Sequence, residues 1–426
     1  MKDESGLPAR SAALSLLSGV LRRKKPLDAM LDDLKSLPPR DAGFARALTS
    51  ETLRHFGELE AILRHFVPKP LPPHKTGPAM EILLLGAAEL LILKGAAHAA
   101  VDAANKLAAA DSKAVHFKPL INAVLRRLAR EGEEVRAKLD APRLNTPDWL
   151  WTRWNAQYGE ATTRAIATAH QNEAPMDIIL KSAAALFPES APLVGLSRRV
   201  SQSGRVEEMP GFKEGDWWVQ DIAATLPALM LGDVAGKRVV DLCAAPGGKT
   251  MQLAARGAEV LAVDNDAGRM ARVKENLSRT GLTATLIESD ARDFKTKAPF
   301  VLIDAPCTAT GTIRRHPDLP WIKEGGDMAA RATLAYEILE SGAAMLEPGG
   351  FLVFAVCSLE REEGEEQIET FLNANPEFAR APLTADELFG HSEWLSPKGD
   401  LKTLPCHLPE IGGMDGFYAA RLRRIP

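Results

Sequence analysis

Two or three folded domains and a sizeable core are what 426 residues with 46% hydrophobic and 25% charged content can build, which excludes a disordered or fibrous chain. The net charge of −4 hides an asymmetry: residues 1–150 hold 23 Lys and Arg against 18 Asp and Glu, and the remainder 29 against 38, so a basic excess suited to nucleic acid lies at the front. Cys243, Cys307, Cys357 and Cys406 form no CxxC pair, which excludes the usual metal spacing and a disulfide scaffold. The apolar run over 82–93 is broken by Glu89 and is too short for a bilayer, and MKDESGLPAR has no apolar signal core. A reducing, cytoplasmic setting is expected, with no membrane or metal partner.

From the start to about residue 140 the chain reads as helices. Segments 11–21, 41–66, 80–93, 97–110 and 118–130 repeat apolar residues at spacings of three and four, and the prolines at 38–39 and over 68–78 break them into a bundle. Arg22–Lys25 and Arg126-Arg127 are candidates for phosphate contact, although a solvated helix face is the favoured reading of any single run. Residues 144–212 read as a small α+β connector: a helix over 148–170 with Trp149, Trp151 and Trp154 as packing residues, then short strands at 178–180 and, just beyond, 217–219. Beyond Gly211 strands and helices alternate. Strands are predicted at 238–242, 259–264, 284–288, 300–304 and 350–356, helices at 249–256, 267–280 and 328–346, and a late hairpin near 402–407 and 416–422. That pattern is an α/β domain with a mostly parallel sheet, an antiparallel edge and helices on both faces.

The stretch VVDLCAAPGGKT, residues 239–250, is a strand, a tight small-residue turn and a helix start, the layout of a nucleotide seat. A phosphate-binding loop would need glycine at position 243, where Cys243 stands, and a dinucleotide loop would need GxG, which is absent. The seat is Cys243, Ala244, Ala245, Pro246, Gly247, Gly248 and Lys249, for a ligand without a pyrophosphate. Asp241, Asp264 and Asp304 end three predicted strands and Asp290 follows a fourth, so all four are expected in one crevice. Asp264 is placed for ribose hydroxyls and Asp290 for an adenine amino group. An acidic crevice suits S-adenosylmethionine, a sulfonium cation, better than a phosphorylated nucleotide.

Cys307 follows VLIDAP and Cys357 follows FLVFAV, so both start loops at the carboxyl edge of the sheet. A thiolate is the natural nucleophile for the electron-poor carbon 6 of a pyrimidine, and its attack prepares carbon 5 for a methyl group. On this reading either cysteine can be the nucleophile. The basic loop Arg314-Arg315-His316 leaves the same edge and is expected to meet RNA phosphates. The target base should be flipped out or lie in a loop. The acidic run 360–369 is read as structural, a carboxylate-rich helix start.

DLCAAPGGKT, DAPCTATGTIRRHPD and AVCSLEREEGEEQI resemble the hallmark motifs of the RNA 5-methylcytosine methyltransferases of the NOL1/NOP2/Sun group, and the run from Ile313 to Asp318 resembles its bacterial 16S rRNA branch. Gln220-Asp221 and Asp415-Gly416-Phe417-Tyr418 are similar to two further elements of that group, and the helical front resembles a NusB-like RNA-binding domain. The resemblance implies a NusB-like domain over 1–143, the connector over 144–212 and a Rossmann-like S-adenosylmethionine-dependent methyltransferase domain over 213–426. It implies Cys357 as nucleophile, Cys307 assisting proton removal and RNA release, Asp304 holding the cytosine, and Lys249 near the reacting groups. The implied substrate is 16S rRNA and a monomer is expected; transfer RNA, another rRNA site, and a non-catalytic RNA-binding assembly factor are the alternatives. Thr308, Val356 and Gly364 depart from the usual serine, threonine and asparagine, and Cys243 and Cys406 are read as packing residues.

Overall fold

The computed structural model describes residues 6–67, 69, 71–185, 187, 189–201, 204–323, 326 and 328–426. Residues 1–5 of the start, and Pro68 and Pro70 of the proline stretch, lie outside them. The chain packs as two compact units, one comprising Met1–Glu173 with Ile313–Gly325, the other Ala174–Thr312 with Gly326–Pro426. These units run differently from the division expected from sequence: the helices of the expected connector fall in the first unit and its strands in the second. Residues 313–325, expected in the catalytic domain, pack with the helices.

In the first unit the main helices are Leu7–Arg23, Pro39–Arg54, Phe56–Phe66, Ala79–Leu91, Ala97–Ala110 and Lys118–Arg136, followed by Asp148–Tyr158 and Glu160–Ala169. The single helix expected over 41–66 is two, because the backbone leaves helical values at His55, with φ −106° and ψ 18°. The apolar helix Ala79–Leu91 is almost wholly buried, and that burial includes two carboxylates, Glu81 and Glu89. Both are met by arginines from the first helix: Arg10 Nε donates to Glu89 at 2.8 Å and Arg22 Nη2 to Glu81 at 2.6 Å. The glutamate that interrupts the hydrophobic run is therefore a buried ion-pair partner. Trp154 is fully buried against the His170 ring and Trp151 lies under Arg143 and Arg164, so these tryptophans pack.

The second unit holds two sheets. The smaller is antiparallel, with β1 Met176–Leu180, β2 Ser190–Pro192, β3 Ser197–Val200 and β4 Trp217–Val219 in the order β2-β3-β1-β4. The larger is built from β5 Arg238–Leu242, β6 Glu259–Asp264, β7 Thr285–Glu288, β8 Ala298–Asp304, β9 Leu346–Val356, β10 Phe378–Arg380, β11 Leu401–Thr403 and β12 Phe417–Arg424. Its order is β10-β12-β9-β8-β5-β6-β7, with β11 on β12; the steps from β9 to β7 are parallel and those to β12 antiparallel. The predicted parallel sheet with an antiparallel edge is thus observed. Strand order reverses at β5, which leaves a crevice at the carboxyl ends of β5 and β8. Asp221 and Asp415, from motifs far apart in sequence, meet where Asp221 caps helix Ile222–Leu229 and accepts the Asp415 N–H at 3.1 Å. Among the described residues no helix is long and apolar enough to cross a membrane.

A second buried charge cluster ties the helical unit. Glu58, 0% exposed, accepts from Arg136 Nε at 3.1 Å and bonds His55, which also faces Glu51. Burial opposes a charge on His55, but its bonds to Glu51 and Glu58 outweigh burial and raise its pKa above 6.5. A cation raised on folding contributes stability that is complete below the unfolded pKa and lost as pH rises through the folded one. Unfolding of the full chain followed from about pH 6 to about pH 9 should therefore show falling stability. His55→Gln should flatten that part of the slope and cost about 1–2 kcal/mol at the acid end. Identical slopes for the two proteins would disprove the assignment.

Candidate active site

Strand β5 ends where Cys243 takes a left-handed backbone, φ 60°, at the position where a phosphate loop would carry glycine. The turn that follows is held from β6: Ala244 N–H donates to the Val263 carbonyl at 3.0 Å and Ala245 N–H to Asp264 Oδ2 at 3.1 Å. The Ala245-Pro246 peptide is cis, and Gly247, φ 100°, starts helix Gly248–Ala255. Burial pushes the Cys243 thiol up to about 12, which suits a packing residue.

Three of the four carboxylates expected in the crevice line it. A cavity of about 170 Å³ is bordered by Cys243, Asp264, Asp290, Asp304 and, on its apolar side, Leu334 and Ile338. Asp241 is the exception, being 0% exposed and bonded by the Thr250 hydroxyl at 2.6 Å. Burial raises its pKa to about 7, with the Thr250 bond opposing. It braces the loop against the helix and does not face a ligand. Asp290 is engaged by Arg292 at 2.7 and 3.0 Å, and those bonds lower its pKa. Three carboxylates, an apolar wall and the side chains of Arg269 and Arg292 thus line one cavity. Leu334 and Ile338 escaped the sequence reading, although their spacing of four puts them on one helix face.

Lys249, on the first turn of that helix, reaches back to Asp304 at the end of β8, Nζ to Oδ2 2.7 Å, and lies 5.3 Å from the Phe417 ring centre. Cys307 follows β8 and Cys357 follows β9, and their sulfurs are 3.5 Å apart. Both thiols are free. The bond to Cys307, then burial and the nearby Asp304 charge, push the Cys357 thiol well above its usual 9.0. At rest this sulfur is protonated.

The two cysteine loops are joined by a residue that the sequence reading passed over. Glu363, 0% exposed, accepts the Thr308 N–H at 2.8 Å, the Thr308 hydroxyl at 2.5 Å and the Ser358 hydroxyl at 2.5 Å. Gly311 N–H donates to the Cys357 carbonyl at 3.0 Å, and a Cβ at 311 would lie 1.9 Å from the Gly416 carbonyl oxygen, so the loops close only around glycine. Two of the three departures from the usual pattern fit the structure, and nothing in it explains Val356. Thr308 keeps the hydroxyl that serine would supply. A side chain at Gly364 would begin 2.7 Å from the Tyr418 ring.

The basic loop is not the surface feature expected. Arg314 is 1% exposed, and its backbone carbonyl accepts from Arg54 at 2.9 Å. Burial first, and then the charges of Arg314 and Arg54, depress the His170 pKa to about 3. Downstream, Asp318 accepts the Leu27 N–H at 2.9 Å and the Trp321 indole donates to the Leu53 carbonyl at 2.8 Å. Arg314 is thus a packing residue of the helical unit and is shielded from phosphate. Arg315 and His316 are half-buried, with His316 Nδ1 3.2 Å from Asp28. The basic runs at the front are likewise committed in part, Arg22 to Glu81 and Arg127 to Glu131. Among the described residues no group of three or more His, Cys, Asp or Glu side chains could hold a metal ion.

Comparison with known proteins agrees with this architecture. Residues 228–423 match the family described as 16S rRNA methyltransferase RsmB/F, and residues 7–130 match the NusB family. Ribosomal RNA small subunit methyltransferase B of Pasteurella multocida is 33% identical, over 98% of this chain and 96% of that protein. The Pseudomonas putida protein of the same name is 36% identical, over 98% of each. The crystal structure of PH0851 shares the fold at 22% identity, with a TM-score of 0.76 over 97% of this chain and 98% of that one. With relatives this similar along nearly its whole length, the chain belongs to the RsmB/F family of 16S rRNA methyltransferases and carries a NusB-family helical domain at its front.

Proposed function

We propose that the protein transfers the methyl group of S-adenosylmethionine to carbon 5 of a cytosine in 16S rRNA through a covalent bond between Cys357 and carbon 6. The observation that carries this reading is the pair of thiols 3.5 Å apart at the ends of adjacent strands, beside the Lys249–Asp304 pair and the acidic cavity. The 16S substrate rests on the family and on the small-subunit rRNA methyltransferases to which the chain is similar.

The seat from Cys243 to Lys249, with Asp264, Asp290 and Asp304, would hold S-adenosylmethionine, with Asp264 accepting from the ribose and Leu334 and Ile338 covering the adenine. When bound, S-adenosylmethionine supplies an electrophilic methyl group. The protein supplies the rest. Because burial and Cys307 keep Cys357 protonated, its proton must leave as the sulfur bonds carbon 6. Asp304, oriented by Lys249, relays that proton to ring nitrogen 3. This makes carbon 5 nucleophilic. After methylation Cys307, having first released its own proton to solvent, takes the carbon 5 proton as a thiolate; the carbon–sulfur bond breaks with its electron pair returning to Cys357, and nitrogen 3 returns its proton to Cys357 through Asp304. Arg315 and His316 are the residues of the basic loop proposed to meet RNA phosphate. The closeness of the thiols lets one act on carbon 6 while the other reaches carbon 5.

Incubation with labelled S-adenosylmethionine and unmodified 16S rRNA should place label on carbon 5 of a cytosine; no transfer to rRNA sinks the proposal. Cys307→Ala should accumulate a protein–RNA adduct stable in denaturant, while Cys357→Ala forms none; the opposite pattern would reverse the two roles. Asp264→Ala should weaken S-adenosylmethionine binding about tenfold or more in calorimetry, and an unchanged affinity would remove Asp264 from the seat.

A further inference from the structure

We infer that Glu363 sets the separation of the two reactive sulfurs and is a positioning residue for methyl transfer, an inference that rests on the thiol chemistry proposed above. Its carboxylate reaches the residue directly after each cysteine: Thr308, through both N–H and hydroxyl, and Ser358, through its hydroxyl. Strand pairing between β8 and β9 extends to Asp304 opposite Ala355, with one more bond from Ala305 N–H to the Ala355 carbonyl at 2.8 Å. Beyond that point the two strands pair no further: one backbone bond, from Gly311 N–H to the Cys357 carbonyl at 3.0 Å, links the loops, and side chains supply the rest. Glu363 accepts from both loops, Ser358 Oγ accepts the Glu360 N–H at 3.1 Å, and Thr310 Oγ1 accepts the Leu359 N–H at 3.0 Å.

Complementing a helix start does not account for this glutamate. Glu365 and Glu366, in the first turn of helix Glu365–Ala374, serve that purpose and are partly exposed. A fully buried carboxylate is tolerated where donors satisfy it, and here three donors do so from two separate loops. Both hydroxyls donate to Oε2 and the Thr308 N–H to Oε1, so an amide in place of either oxygen takes the acceptor from two hydroxyls or from that N–H and lets the loops move apart. Displacements of about 1 Å at reacting atoms can cost about 100-fold in rate.

The test uses Glu363→Gln, Thr308→Val and Thr308→Ser in the full chain, with two readouts. The first needs neither RNA nor S-adenosylmethionine: the rate at which diamide closes a Cys307–Cys357 disulfide, followed by peptide mass mapping. In that reaction the two thiols lose two protons and two electrons, which reduce diamide to its hydrazine. The second is kcat and KM for methyl transfer. Glu363→Gln should slow both disulfide closure and kcat by about 10- to 100-fold, with KM for S-adenosylmethionine held within about threefold. Thr308→Val should act in the same direction, and Thr308→Ser, which keeps the hydroxyl, should restore wild-type rates. Unchanged closure in Glu363→Gln, or Thr308→Ser as slow as Thr308→Val, overturns the inference. Should the unaltered protein transfer no methyl group, the cytosine reading fails while the closure rates still decide the role of Glu363. If Glu363→Gln does not fold, the Thr308 pair decides it.

Discussion

The parallel register between β8 and β9 is the constraint on which the site depends. Asp304 stands opposite Ala355, so the two strands stop level and release Cys307 and Cys357 at the same height of the sheet. A one-residue slip would turn every side chain of a strand to the other face, and the buried apolar faces of both strands forbid it. β5, on the other side of β8, brings Cys243 and the cofactor turn to the same edge. The paired thiols and the turn from Cys243 to Lys249 thus converge because three neighbouring strands end together, without any long side chain having to reach across.

Much of this was legible in the residues. The strands β5, β6, β8 and β9 announce themselves as β-branched and aromatic runs closing on Asp or Cys, and the alternation with helices dictates a parallel sheet. What escaped detection was tertiary. β2 and β3 have three and four residues, too short to show alternation, so only the strands at 178–180 and 217–219 of the small antiparallel sheet were expected. Arg314 looked like a phosphate ligand because charge normally marks surface, and burial against a distant helix leaves no local trace. Asp241 has the same strand-end signature as Asp264 and Asp304, and its contact with Thr250 turns it inward.

Glu363 illustrates a related difficulty. It lies in an acidic run that has a sufficient local explanation, and nothing nearby singles out one glutamate of five between 360 and 366. Its partners are Thr308, fifty-five positions earlier, and Ser358. Position 308 varies from the family pattern in a way that preserves the bonding atom. That substitution is the one trace of the interaction in the sequence, and it is readable only once the partner is known.

The passage of residues 313–325 into the helical unit makes that unit discontinuous in the chain. Proteins assembled by fusing independent cassettes are joined at a single seam; here the front half includes a length of the back half. A gene truncated after residue 173 would yield a bundle stripped of Trp321 and Ile322, both half-buried against its apolar core, while the remaining fragment would carry those groups uncovered. The helical unit therefore depends on a stretch far downstream of its own last helix, and cutting the chain between them would leave apolar surface uncovered.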